Sequence, residues 1–247
     1  MGIAPTNQYL SKGLCMTKII VANWKMNGSN AFITDFFKNF ISAPQNSIIF
    51  CPPALYLKDV LSYTSRVGAQ DCSTHLSGPH TGEISSLMIK DIGCQYVIVG
   101  HSERRYYHQE KSETIRQKAE QALKAGLIPI ICIGEPKEVR DADKAIDFVL
   151  EQLFQSLPAV NGKAYYIAYE PVWAIGTGLT AREDDIIEMH QAIRQALPNP
   201  DTPLLYGGSV NKENAQALLS LPNVDGVLVG GASLKYEDFN HIVAFSE

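Results

Sequence analysis

The chain has 247 residues, 45% of them hydrophobic, enough to build one large core without a second domain. Its 21 basic and 26 acidic residues are dispersed and leave a formal net charge of -5, which excludes a basic stripe for nucleic acid or for an anionic membrane surface. No apolar run approaches the length of a membrane span, and five cysteines without a C-x-x-C pair fit free, buried thiols in a reducing compartment rather than disulfides or a zinc site.

Residues 1–16 are polar and aperiodic and read as an N-terminal extension, expected to be disordered, with Met16 as the original start. The opening Met1-Gly2-Ile3-Ala4-Pro5-Thr6 fits a loose myristoylation pattern, but an upstream start accounts for it better. Residues 17–247 read as a single catalytic domain. From Lys18 onward, short β-rich runs alternate with helical patterns, which argues for βα units and a parallel sheet. The strand candidates are Ile19–Asn23, Ser47–Cys51, Val67–Gln70, Tyr96–Val99, Leu127–Cys132, Ala164–Tyr169, Pro203–Tyr206 and Gly226–Val229. Helices are predicted between them, among others over Glu113–Ala125, Asp143–Leu157, Asp184–Leu197 and Asn211–Leu219. Eight such repeats match an α/β fold of the (β/α)₈ barrel type, whose functional residues gather in the loops after the strands.

The polar residues test that expectation. Asn23 and Lys25 follow strand one, His101 follows strand four, Glu170 follows strand six, Gly207-Gly208-Ser209 follow strand seven, and Gly230-Gly231 follow strand eight. All fall on one face. Pro171 ends the sixth strand and places Glu170 at its tip. The apolar loop Pro171 to Gly178 then carries Trp173, Ala174 and Ile175 toward Gly176 and Gly178, as a lid would. Gly176-Thr177-Gly178-Leu179-Thr180-Ala181 also fits a relaxed dinucleotide fingerprint, but Pro171 to Ile175 separate it from the strand that such a fingerprint must follow.

Glycines at Gly176, Gly207, Gly208, Gly230 and Gly231, with Ser209, can present backbone N–H groups to a phosphate, with a helix expected after each turn. Lys25 can draw in an anion and steady negative charge in a transition state. His101, ahead of a predicted helical turn, is expected to stay neutral and to donate to a substrate oxygen. With Glu170 as base, these groups describe proton abstraction beside a carbonyl through an enediolate, with no metal or redox cofactor required. The rivals are a metal-dependent epimerase, for which only His101 and Glu170 are clear ligands, a Schiff-base aldolase using Lys25, and an inactive phosphate-binding barrel or surface-displayed interaction protein, against which Asn23, Lys25, His101 and Glu170 together argue.

Four motifs in order, Asn23-Trp24-Lys25-Met26-Asn27, Gly100-His101-Ser102-Glu103-Arg104-Arg105, Tyr169 to Gly178 and Tyr206-Gly207-Gly208-Ser209-Val210, closely resemble the triosephosphate isomerase family. That family is a standing example of a glutamate base, a neutral histidine and a closing loop, so these roles come with the resemblance. It implies Glu170 as general base, His101 as electrophile, Lys25 as the cation beside the substrate and Asn23 as helper at the oxyanion. Glu103 would order Lys25, Cys132 would support the surroundings of Glu170, Ser102 would be a further supporting residue, and Gly176, Ser209, Gly230 and Gly231 would grip phosphate. It further implies cofactor-free interconversion of glyceraldehyde 3-phosphate and dihydroxyacetone phosphate in glycolysis and gluconeogenesis, in a cytoplasmic homodimer. In that dimer the loop Asp71 to Glu83 would bring Thr81 to the partner's site. Pro79, His80, Asp71 and Leu179 depart from the commoner pattern of the family.

Overall fold

A computed structural model of the chain describes residues 17–41, 48–159, 164–175 and 181–246. The extension over 1–16, the tip of the expected lid at 176–178, and Leu179 lie outside the described residues. Eight parallel strands run in the order β2-β1-β8-β7-β6-β5-β4-β3. They are β1 (Ile19–Asn23), β2 (Ile48–Cys51), β3 (Gly68–Ala69), β4 (Tyr96–Val99), β5 (Ile128–Ile133), β6 (Tyr166–Tyr169), β7 (Leu204–Tyr206) and β8 (Gly226–Val229). β1 pairs with β8 through Val21↔Leu228 and with β2 through Val21↔Ile49, and an isolated parallel bridge between Phe50 and Val67 joins β2 to β3. The ring is thereby closed, as the sequence predicted.

Side-chain alternation along these strands divides the core into two layers. Val21, Ile49, Ile98, Ile130, Ala168, Leu205 and Leu228 form a cluster with no helical member, which is the filled interior of the ring. Their strand neighbours face outward onto the helices, where Ile20, Phe36, Ile115, Leu153 and Ile193 belong to one larger cluster. The described helices are α1 (Asn30–Asn39), α2 (Leu57–Leu61), α3 (Ser86–Asp91), α4 (Ser102–Tyr107), α5 (Ser112–Lys124), α6 (Lys137–Asp141), α7 (Ala145–Ser156), α8 (Glu183–Ala196), α9 (Ala215–Ser220) and α10 (Tyr236–Val243). Ser29 caps α1 by accepting from the Phe32 N–H at 3.1 Å. The helix then lays Phe36 against Trp24, ring centroids 5.4 Å apart, so the residue before Lys25 is locked into an aromatic cluster.

Several predicted boundaries shift for local reasons. α7 and α8 stop before Leu157 and Leu197, both of which turn extended ahead of a proline. The predicted start of α7 at Asp143 is instead a left-handed residue, at φ 55°, closing the turn after α6. α9 begins at Ala215 rather than Asn211, because the Asn211 carboxamide oxygen accepts from the Glu213 and Asn214 N–H groups at 3.0 and 2.9 Å and holds a turn there. The expected helix directly after the seventh strand is therefore displaced by several residues. After β8, Gly230 opens only a short 3-10 turn over Gly231–Leu234.

On α8, His190 is fully buried between the Tyr169 and Tyr206 rings. Its Nδ1 lies 3.0 Å from the Asn223 carbonyl oxygen, while Nε2 has no partner. A proton added at Nε2 would be dry and unpaired, and burial depresses the imidazole pKa from 6.5 to about 4. The folded chain thus refuses a proton that the unfolded chain accepts near pH 6.5. The resulting stabilisation is complete above that value and is lost as pH falls toward 4. Urea denaturation at pH 7 and pH 4 should show the wild type losing on the order of 3 kcal/mol more stability than His190→Gln; equal losses would rule this out.

Candidate active site

The strand ends converge on one mouth of the barrel. Asn23 closes β1, and its side-chain oxygen accepts from the Lys25 N–H at 3.0 Å. Lys25 is itself left-handed at φ 50°, a costly conformation for a side chain of this size and one that must be held from outside. Gln70, just past β3, does part of that by donating from Nε2 to the carbonyls of Lys25 and Cys51, both at 2.8 Å. The ammonium reaches Glu103 Oε1 at 2.7 Å.

His101 ends the β4 connection as the N-cap of α4, and its Nδ1 accepts from the Glu103 N–H at 3.3 Å. An accepting Nδ1 leaves the ring hydrogen on Nε2 in a neutral imidazole. That nitrogen lies 3.1 Å from Glu170 Oε1. The contact is too poorly aligned for a hydrogen bond, so Oε1 is buried without a partner, while Oε2 accepts from the Ser102 N–H at 2.8 Å. Glu170 is 1% exposed. It is a carboxylate held in a dry place by one backbone donor, with its other oxygen ready for a proton. Beneath it, Cys132 is fully buried, and burial together with the Glu170 carboxylate pushes its thiol well above the ordinary range. Arg105 braces the same region by donating to the carbonyls of Gly100 and Cys132 at 2.9 and 2.8 Å; burial lowers its pKa to about 10.

Asn23, Lys25, His101 and Glu170 line a cavity of about 300 Å³ whose other wall is Gly207 to Asn211 with Gly230 and Gly231. Of the residues expected from sequence, Asn23, Lys25, His101, Glu170, Ser209, Gly230 and Gly231 line this cavity, and Glu103, Ser102 and Cys132 stand behind it against Lys25 and Glu170; Gly176 lies outside the described residues, and Thr81 is exposed and does not line the cavity. A family model described as triosephosphate isomerase matches residues 18–246.

The chain belongs to the triosephosphate isomerase family.

It is accordingly an isomerase of that type. It is 46% identical over 243 residues to the triosephosphate isomerase of Acidiphilium cryptum, covering 91% of this chain and 96% of the relative. Against that of Thermus thermophilus it is 46% identical over 242 residues, covering 91% and 97%. Among solved structures, triosephosphate isomerase from Bartonella henselae superposes with a TM-score of 0.83 at 36% identity, covering 93% of this chain and 98% of that one.

Within this triosephosphate isomerase framework, two of the glycines expected to serve phosphate also answer packing. A Cβ on Gly207 would stand 2.9 Å from Glu170 Cγ, and one on Gly208 would stand 2.2 Å from the Tyr206 hydroxyl. Ser209 donates its hydroxyl to the Ala174 carbonyl at 2.5 Å, tying the loop after β7 to the one after β6. Among the described residues no three His, Cys, Asp or Glu side chains converge in a metal-ligand cluster.

Sequence reasoning passed over two residues that the structure makes central. Glu135, fully buried two positions beyond β5, accepts on Oε1 from the Trp173 indole at 2.8 Å and from the Tyr169 hydroxyl at 3.2 Å. The Arg140 guanidinium covers the Trp173 ring at 5.0 Å. Gln70 was read only as the end of a strand. The signal for both was a polar side chain at the C-terminal edge of a barrel strand.

Gly134 sits where a Cβ would fall 1.7 Å from the Glu170 carbonyl oxygen, beside the bond from the Glu170 N–H to the Ile133 carbonyl at 2.7 Å. Gly134→Ala must therefore push the β6 tip and its carboxylate outward. The expected result is a folded protein by circular dichroism whose kcat falls by about 10²-fold, the scale of a 1 Å misplacement; near-normal kcat would refute the assignment.

Proposed function

We propose that residues 17–247 form a catalytic domain that interconverts glyceraldehyde 3-phosphate and dihydroxyacetone phosphate, the step that links these trioses in glycolysis and gluconeogenesis. The observation that carries the mechanism is the buried Glu170 side chain with one oxygen unpartnered 3.1 Å from His101 Nε2, in a cavity that also holds Lys25.

Glu170 leaves the Ser102 N–H and removes a proton from the carbon that bears a hydroxyl next to the carbonyl. The electron pair moves into a carbon–carbon double bond, and the carbonyl oxygen becomes an enediolate oxygen. His101 Nε2–H donates to that oxygen and passes a proton between the two neighbouring oxygens. Lys25, with Asn23 beside it, steadies the negative charge. Glu170 then returns its proton to the adjacent carbon. One hydrogen has moved from carbon to carbon and one from oxygen to oxygen within the molecule, and no electrons have left it, so the route calls for no cofactor. The glycines and Ser209 at the ends of β7 and β8 receive the phosphate; Ser209 can donate to it only after releasing Ala174.

A homodimer in the cytoplasm completes this reading. A second cavity of about 630 Å³ shares Asn23, Lys25 and His101 with the first and is lined also by Met26 and Tyr107. Met26 is 96% exposed there, so a partner has apolar surface to cover, and Thr81 stands exposed on the loop that would do so. Among the described residues no helix is long and apolar enough to cross a membrane. Cys51, Cys72, Cys94 and Cys132 are buried free thiols.

With glyceraldehyde 3-phosphate as substrate, Glu170→Gln should lower kcat by about 10²- to 10⁴-fold with KM little changed. Equal turnover in both proteins would remove Glu170 as the base, and an inactive wild type that still binds inorganic phosphate would make the chain a binding protein. Light scattering at working concentration should give the mass of two chains; a fully active particle with the mass of one chain would end the dimer proposal.

A further inference from the structure

Four charged side chains form a mostly buried cluster outside the 300 Å³ cavity, two of them, Asp71 and Arg104, at the wall of the second cavity. Lys118, on α5, places its ammonium 2.8 Å from both oxygens of Asp71 and 2.6 Å from Glu110 Oε1. Arg104, on α4, donates from Nε to the same Glu110 oxygen at 2.7 Å and lies 2.9 Å from Asp71 Oδ2. The side chains of Lys118 and Glu110 are 6% and 8% exposed, those of Asp71 and Arg104 22% and 30%. Two cations thus share one nearly dry carboxylate, an arrangement that requires a second anion.

The sequence neighbours of this cluster are the groups that hold Lys25. Asp71 follows Gln70, which grips the Lys25 carbonyl; Arg104 follows Glu103, which grips the Lys25 ammonium. The ion pair between Arg104 and Asp71 therefore spans the two anchors and fixes their separation, while Lys118 fastens the assembly to a long helix. Lys25 needs both anchors because its backbone sits at φ 50°. Burial raises the Asp71 pKa above the ordinary carboxylate range. For Glu110 burial acts in the same direction, but the hydrogen bonds from Lys118 and Arg104 outweigh it and hold that carboxyl below. Asp71 is the more weakly held of the two anions and the one nearer Lys25 in the chain.

We propose that Asp71 is a positioning residue for Lys25, acting through Gln70 on one side and Arg104–Glu103 on the other. The inference rests on the isomerase reading for the use it gives Lys25, but not for its geometry. Without an acceptor at position 71, Arg104 and Lys118 are left on one carboxylate. The more exposed Arg104 side chain then swings away while the α4 backbone stays in place, and the Glu103 and Gln70 side chains lose the tie that fixes their separation around Lys25. The lysine that meets the substrate anion becomes misplaced, while Glu170 and His101 keep their contacts.

Asp71→Leu, close in shape but without an acceptor, should raise KM for glyceraldehyde 3-phosphate by about 10- to 100-fold, change kcat far less, and weaken competitive inhibition by inorganic phosphate in proportion. Asp71→Asn, which keeps one acceptor oxygen, should fall between it and the wild type. In a Lys25→Met background the same Leu substitution should have no further effect on kcat/KM. A folded Asp71→Leu with normal KM and phosphate inhibition, or an equal loss in the Lys25→Met background, would overturn the proposal. If Asp71→Leu does not fold, Arg104→Met replaces it, since the side chain then carries no cation to join Asp71 to α4, with the same expectations. An inactive wild type would sink the isomerase reading alone, and Asp71→Leu would then have to weaken the affinity for inorganic phosphate measured by calorimetry.

Discussion

Closure of the ring depends on β1 finding two parallel neighbours at once, β2 through Ile20↔Ile48 and β8 through Ile20↔Val227. With every strand parallel, all C-terminal ends emerge at one mouth, and only there can residues as far apart in sequence as Asn23, His101, Glu170 and Gly230 meet. A single antiparallel strand would send its terminal polar residue to the opposite end. The dry interior built from Val21, Ile98, Ile130, Ala168 and Leu228 also supplies the floor against which Glu170 and Cys132 are desolvated.

Within that frame the site is arranged by backbone as much as by side chains. Glu170 is held by the Ser102 N–H and approached closely by Gly134 and Gly207, so its position follows from three neighbouring strand ends. His101 is fixed in tautomer by the Glu103 N–H of its own helix turn. Lys25 is the exception, a left-handed residue held by Asn23, Gln70 and Glu103 and backed by the aromatic anchorage of Trp24. Preorganisation of this kind is what makes electrostatic stabilisation effective, because little reorganisation remains when charge develops on the substrate. The root of the loop after β6 is organised the same way, with Glu135 collecting the Trp173 indole and the Tyr169 hydroxyl while Arg140 covers the tryptophan face.

Sequence periodicity carried the architecture well. The runs at Ile19–Asn23, Tyr96–Val99 and Gly226–Val229 agree with the strands to the residue, because each is an apolar segment buried on both faces. The errors came where local hydrogen bonding competes with a repeating pattern, as at Asn211 and Asn214, or where a left-handed residue such as Asp143 interrupts it. Among the site residues, Asn23, Lys25, His101 and Glu170 were legible because a charged or polar group at the end of an apolar strand is conspicuous. Gln70 and Glu135 were not, since their work consists of bonds to Lys25, Trp173 and Tyr169, which are distant in sequence or have their orientation set by packing.

The sequence by itself determined the strand and helix order, the single functional face and the residue types that face carries, because periodicity and strand-end polarity are local properties of the chain. Tertiary structure alone decided which oxygen of Glu170 is left unpartnered, which ring nitrogen of His101 keeps its hydrogen, that Ser209 is bonded to Ala174, and that Asp71, Arg104, Glu110 and Lys118 share one buried cluster. Those outcomes depend on distances of about 3 Å between groups many residues apart, and such distances exist only once the ring has closed.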